Sequence, residues 1–133
     1  MKMLHLTRFA TIALLAMSAK LSYAADLSAQ DKQFLDGYEK IRSALSADDV
    51  EGAKMAAVEL GEQGAALSRS DKLSTVRSEF EKLSSRAIEL GRGQDGYYVV
   101  NCPMLKKDWL QTSTKISNPY AGKSMPDCGV IKK

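Results

Sequence analysis

The stretch that decides the fold runs from Gly96 to Lys133 and reads GYYVVNCPMLKKDWLQTSTKISNPYAGKSMPDCGVIKK. It contains both cysteines, all three prolines and the only tryptophan of the chain. Tyr97-Tyr98-Val99-Val100 is aromatic and β-branched, the composition of a strand. Cys128-Gly129-Val130-Ile131 is a second, shorter strand candidate, and pairing the two would bring Cys102 and Cys128 together. Between them lie a lysine-rich turn, the Trp109-Leu110 pair and the turn chemistry of Ser117-Asn118-Pro119-Tyr120 with Gly122. The expectation is a loop-rich ribbon over residues 96–133, anchored by Trp109 on whatever precedes it.

What precedes it carries the helical period. Leu35, Tyr38, Ile41 and Leu45 share one face of a helix over Asp26–Leu45, with Ser28 and Asp31 spaced as a capping box. Asp48-Asp49 reads as a break and a new cap, leading into a helix over Val50–Leu67 whose face is built of small residues. Gly61 and Gly64 weaken it by about 1 kcal/mol each. Leu73, Val76, Phe80, Leu83, Ala87 and Leu90 mark a third helix, which Gly91 ends. Tyr38, Met55 and Phe80 read as core residues. The fold class expected is therefore mainly α: an antiparallel bundle of about three helices over residues 25–95, followed by a small cysteine-containing β-ribbon in the same domain.

Residues 1–24 have the pattern of a secretory signal peptide. Lys2 and Arg8 precede a short apolar run, Phe9 to Met17, and Ser22-Tyr23-Ala24 offers small residues for cleavage before Ala25. A periplasmic location follows, with no membrane association once the leader is removed. Three of the 19 basic residues and none of the 16 acidic ones lie in this leader, which leaves 16 of each sign beyond it. A neutral chain offers no electrostatic reason to bind nucleic acid. The single histidine, His5, is also in the leader. Beyond it there is no imidazole for a histidine-dependent hydrolase or a histidine zinc site. Two cysteines 26 positions apart are not a C-x-x-C redox motif, and no carboxylate pair or glycine-rich phosphate loop stands out. The expectation is a protein that is not an enzyme.

In an exported chain two cysteines point to a disulfide, which would stabilise the fold by about 3.5 kcal/mol for a loop of this length. Their neighbours point to a second chemistry. Met104 lies two positions after Cys102, and Met125 three positions before Cys128. Two thiolates and two thioethers form a soft donor set that selects Cu(I) and accepts Ag(I). Pro103 and Pro126 stiffen the backbone beside these residues, and both readings stand on the same cysteine pair.

The same residues carry a resemblance. Cys102-Pro103-Met104, Trp109-Leu110, Asn118-Pro119-Tyr120 with Gly122, and Met125-Pro126-Asp127-Cys128-Gly129 resemble the pattern of a family of bacterial exported domains of formally uncharacterised function. In that family the ribbon follows an α-helical segment. The domain is found alone or attached to periplasmic adaptor subunits of heavy-metal efflux pumps of the RND type. The resemblance implies copper or silver handling, with Cys102, Met104, Met125 and Cys128 as metal ligands and an RND-type adaptor or another periplasmic metal carrier as partner. Leu105 and Ala121 depart from the residues common in the family, and Lys106 and Lys107 place positive charge near a cationic metal. The alternative from another class is a structural or interaction domain stapled by Cys102–Cys128, presenting Tyr97, Tyr98 and Trp109 to a protein partner.

Overall fold

The computed structural model describes residues 25–132, so the proposed leader lies outside the described residues. The first helix, α1 (Ala29–Ser46), starts where the capping pattern places it. The Ser28 hydroxyl accepts a hydrogen bond from the Asp31 amide at 3.1 Å and donates to the Asp31 carboxylate at 2.6 Å. Phe34, Leu35, Tyr38, Ile41 and Leu45 are buried along one face. Asp48 then takes a left-handed conformation (φ 58°), which a short aspartate tolerates. Asp49 caps α2 (Val50–Val58) through the Gly52 amide.

The single helix expected over Val50–Leu67 is broken. After α2 the chain passes through a 3₁₀ turn, Gly61–Gly64, into a four-residue helix, α3 (Ala65–Ser68). Gly61 sits at φ 59°, a left-handed value that ends α2, and a side chain on Gly64 would run into the Ala57 carbonyl. Met55, expected in the core, is 73% exposed. The buried stripe of α2 is Ala53, Ala56 and Ala57, and Met55 points off it. α4 (Leu73–Gly91) buries Val76, Phe80, Leu83 and Ala87, in the expected period.

The ribbon is a three-stranded antiparallel sheet of order β2-β1-β3. Its strands are β1 (Tyr98–Cys102), β2 (Lys107–Gln111) and β3 (Val130–Ile131). The expected pairing of the first strand with the Val130-Ile131 segment is present, with Val100 opposite Ile131 and Asn101 opposite Val130. β2 falls where a turn and a lone tryptophan-leucine pair were expected. It pairs along the whole of β1, from Tyr98 opposite Gln111 to Cys102 opposite Lys107. Among the described residues the architecture is thus mixed, four helices and a small sheet, rather than mainly α with a two-stranded ribbon.

The sheet is covered on both faces, which explains how it is held. Val99 and Leu110 are opposite each other and join the main core with Phe34, Tyr38, Ile41, Phe80 and Ala87. Val100 and Trp109, also opposite, belong with Cys102 to a second cluster on which Leu105, Ile116, Tyr120 and Cys128 pack. Side chains alternate between faces along a strand, so β1 and β2 share a residue set between two cores. Helices and sheet are joined by polar contacts as well. Tyr38, stacked on Phe80 at 5.0 Å between ring centres, shares a hydrogen bond with Ser84 and accepts one from the Leu110 amide. Among the described residues no buried side-chain polar atom lacks a hydrogen-bond partner.

Candidate metal centre around the cysteine pair

Cys102 is the last residue of β1 and Cys128 stands two residues before β3. The β1–β3 pairing brings their Cα atoms to 5.4 Å, and the two are joined in a disulfide. Cys102 is fully buried beside Trp109, whereas Cys128 is half-buried. Gly129 allows the close approach: a side chain there would lie 3.0 Å from the Trp109 ring and 2.8 Å from Val100. Trp109 is fully buried, the anchor its sequence context suggested, and donates from its indole nitrogen to Gln111 at 2.9 Å.

Met104 lies in the four-residue loop between β1 and β2, Pro103 to Lys106, and is 74% exposed. Lys106 closes that loop in a left-handed conformation. Met125 follows the 3₁₀ turn Gly122–Ser124, is half-buried, and accepts a backbone hydrogen bond from the Cys128 amide at 3.3 Å. The structure thus brings the two sulfurs of the cysteines together and leaves a methionine in each adjoining turn. Among the described residues no group of three or more histidine, cysteine, aspartate or glutamate side chains is gathered to hold a metal ion.

The donor chemistry fits a soft monovalent ion in one redox state. The disulfide presents no thiolate. Reduction would supply two thiols whose Cα atoms are 5.4 Å apart, with the exposed Met104 in the adjoining loop. Of the two lysines expected to place positive charge near the site, Lys107 pairs with Glu81 at 2.6 Å, and Lys106 stands exposed in the loop. Lys132 likewise pairs with Asp108 at 2.6 Å. Burial works against the Asp108 charge, but hydrogen bonds from Lys132 and Asn101 hold its carboxyl below the usual carboxylate range. Tyr120 stands edge-on to Trp109 and tilted against Phe80, and its hydroxyl donates to Ser84 at 3.1 Å. Burial pushes the phenols of Tyr38 and Tyr120 well above their ordinary value, so both stay neutral and structural.

Asn118 was read from sequence only as part of a turn. It is fully buried, and its side-chain oxygen accepts from the Tyr120 and Ala121 amides while its amide nitrogen donates to the Cys128 carbonyl at 2.9 Å. The helices grip its neighbours: Arg42 donates to the Ser117 carbonyl at 3.0 Å and Arg77 to the Pro119 carbonyl at 2.8 Å. Arg77 also holds Asp48 at 2.7 Å, and that contact keeps the Asp48 carboxyl below its ordinary value. A signal for this role was present in the sequence, an asparagine between two turn residues, but only the fold shows what it reaches.

Comparison with protein-family models, with curated proteins and with solved structures finds no match for this chain.

Proposed function

We propose that this chain is a periplasmic soft-metal module that binds Cu(I) or Ag(I) in its reduced state through Cys102, Met104, Met125 and Cys128. The observation that carries the reading is the 5.4 Å separation of the cysteine Cα atoms, with a methionine in each adjoining turn. It is supported by the resemblance of the same residues to exported domains that accompany metal-efflux adaptors. In this reading the oxidised pair is the resting, metal-free form. An external dithiol reductant supplies two electrons and two protons and leaves as its own disulfide; the two thiols so formed lose their protons to solvent as the ion binds, and the thioethers complete the soft donor set. Once the disulfide is open, uptake and release exchange thiol protons and metal–sulfur bonds only, so they are ligand exchange and not catalysis. Met104, the most exposed of the four, is the donor a metal carrier or an RND-type efflux adaptor meets first.

A second reading is favoured by the complete burial of Cys102: a permanent disulfide staple in an interaction domain. Titration of the chain with Cu(I) against a chromogenic chelator separates the two. The metal reading expects the reduced chain to withdraw one equivalent of Cu(I) and the oxidised chain none. Absence of competition by the reduced chain contradicts it and leaves the staple.

A further inference from the structure

We infer that Asn118 is the positioning residue of the cysteine pair, holding Cys128 beside Cys102 whether or not the disulfide is closed. The inference rests on the metal reading only for its functional consequence. Asn118 makes two bonds to the segment that carries Cys128. The Asn118 side-chain amide donates to the Cys128 carbonyl at 2.9 Å, and the Asn118 backbone amide donates to the Pro126 carbonyl at 3.0 Å. Together they fix both ends of the Pro126-Asp127-Cys128 segment. Asn118 cannot drift with its cargo, because its own oxygen is held by the Tyr120 and Ala121 amides and its carbonyl accepts from Gly122 at 2.9 Å.

The flanking carbonyls, Ser117 and Pro119, are clamped by Arg42 of α1 and Arg77 of α4. Arg42 is oriented by donating two bonds to the Glu39 carboxylate, each 2.8 Å, and Arg77 by donating to Asp48. A continuous path of hydrogen bonds therefore runs from the two long helices through Asn118 to the cysteine backbone, and none of its links is the disulfide. On the other side Cys102 is fixed by the β1–β2 and β1–β3 ladders. Opening the disulfide leaves both thiols at a preset spacing, so an ion that binds both meets a site already ordered.

Two metal-free measurements test this. In the reduced wild-type chain, the Asn118 side-chain amide resonances should keep the dispersed shifts and slow exchange they show in the oxidised chain. Collapse to solvent-exposed values on reduction would overturn the inference. The second measurement is the thiol–disulfide equilibrium with glutathione. Asn118→Asp keeps the acceptor for Tyr120 and Ala121 and deletes the donor to Cys128. It should favour the open dithiol several-fold relative to wild type, because the reduced Cys128 segment is no longer held at bonding distance and its ordering must be supplied when the disulfide closes. Leu67→Ala, a core truncation in α3, should leave that equilibrium unchanged at a comparable loss of stability. An unchanged equilibrium in Asn118→Asp, or an equal shift in Leu67→Ala, contradicts the role. Neither readout involves copper, so a chain that fails to bind Cu(I) but shows both effects would refute the metal reading and leave Asn118 in its place.

Discussion

Reducing the disulfide should cost stability without unfolding the chain, and the size of that cost follows from the loop it closes. Cys102 and Cys128 are 26 positions apart, and constraining a loop of that length removes about 3.5 kcal/mol of chain entropy from the unfolded state. In the folded state the reduced residues lose little else. The ladder from β1 to β3, the Lys132 amide donating to the Val99 carbonyl, and the Asn118 tether all remain. A reduced cysteine packs as a small apolar side chain, so Cys102 can keep its place beside Trp109. The entropy term should therefore appear almost whole. With a urea m-value of about 1.5 kcal/mol/M for a domain of this size, the midpoint should fall by about 2 M. The assay is urea unfolding of oxidised and reduced chain, followed by far-UV circular dichroism and by the fluorescence of Trp109, the sole tryptophan. A reduced chain with no midpoint shift would mean that the loop constrains nothing. A reduced chain without near-UV signal in buffer would mean that the bond, and not the packing, holds the ribbon, and the reasoning fails either way.

Three further outcomes follow from the contacts between helices and sheet. Tyr38→Phe keeps the stack on Phe80 but strips the acceptor from the buried Leu110 amide, and should cost about 2 kcal/mol and lower Tm by roughly 10 °C in a thermal scan. Tyr38 and Tyr120 are neutral when folded and ionise near pH 10 when unfolded. The unfolded state then binds fewer protons, so the tyrosine contribution should be flat below pH 10 and stability should fall above it by up to about 2.7 kcal/mol per pH unit, measured by urea midpoints across that range. Asp48 has the opposite sign: its carboxyl is held low by Arg77, so its contribution is present above its unfolded value and lost as pH falls through the folded one. Arg77→Met should remove that part of the acid dependence, and a variant whose acid limb coincides with wild type would contradict the assignment.

The helices were legible because their apolar residues recur at three and four positions, and a buried stripe allows only one rotation of α1 and α4. The break in the second helix was legible in principle. By propensity alone Gly61 and Gly64 only weaken a helix, whereas in the fold one supplies a left-handed turn and the other a contact that excludes a side chain. Met55 reads as core only from its apolar type; it falls outside the stripe of small residues that its helix buries and is exposed. β2 escaped notice because Lys107-Asp108-Trp109-Leu110-Gln111 neither alternates nor contains a β-branched residue. Its strand character comes from the partner: both faces at its end are buried because β1 lies beside it and separate cores lie above and below. The juxtaposition of the two cysteines was readable from the expected strand pairing. The buried role of Asn118 was not, because a hydrogen bond across ten positions to a carbonyl has no periodicity to reveal it.

The account turns on a sulfur-only donor set. X-ray absorption at the copper edge of the reduced, Cu(I)-loaded chain tests it most directly, alongside a Met104→Leu, Met125→Leu double variant that leaves the helical circular dichroism intact. The account predicts a shell of sulfur alone, losing sulfur ligands in the double variant while the two thiolates remain. A shell containing nitrogen or oxygen, or an identical shell in wild type and double variant, would contradict it.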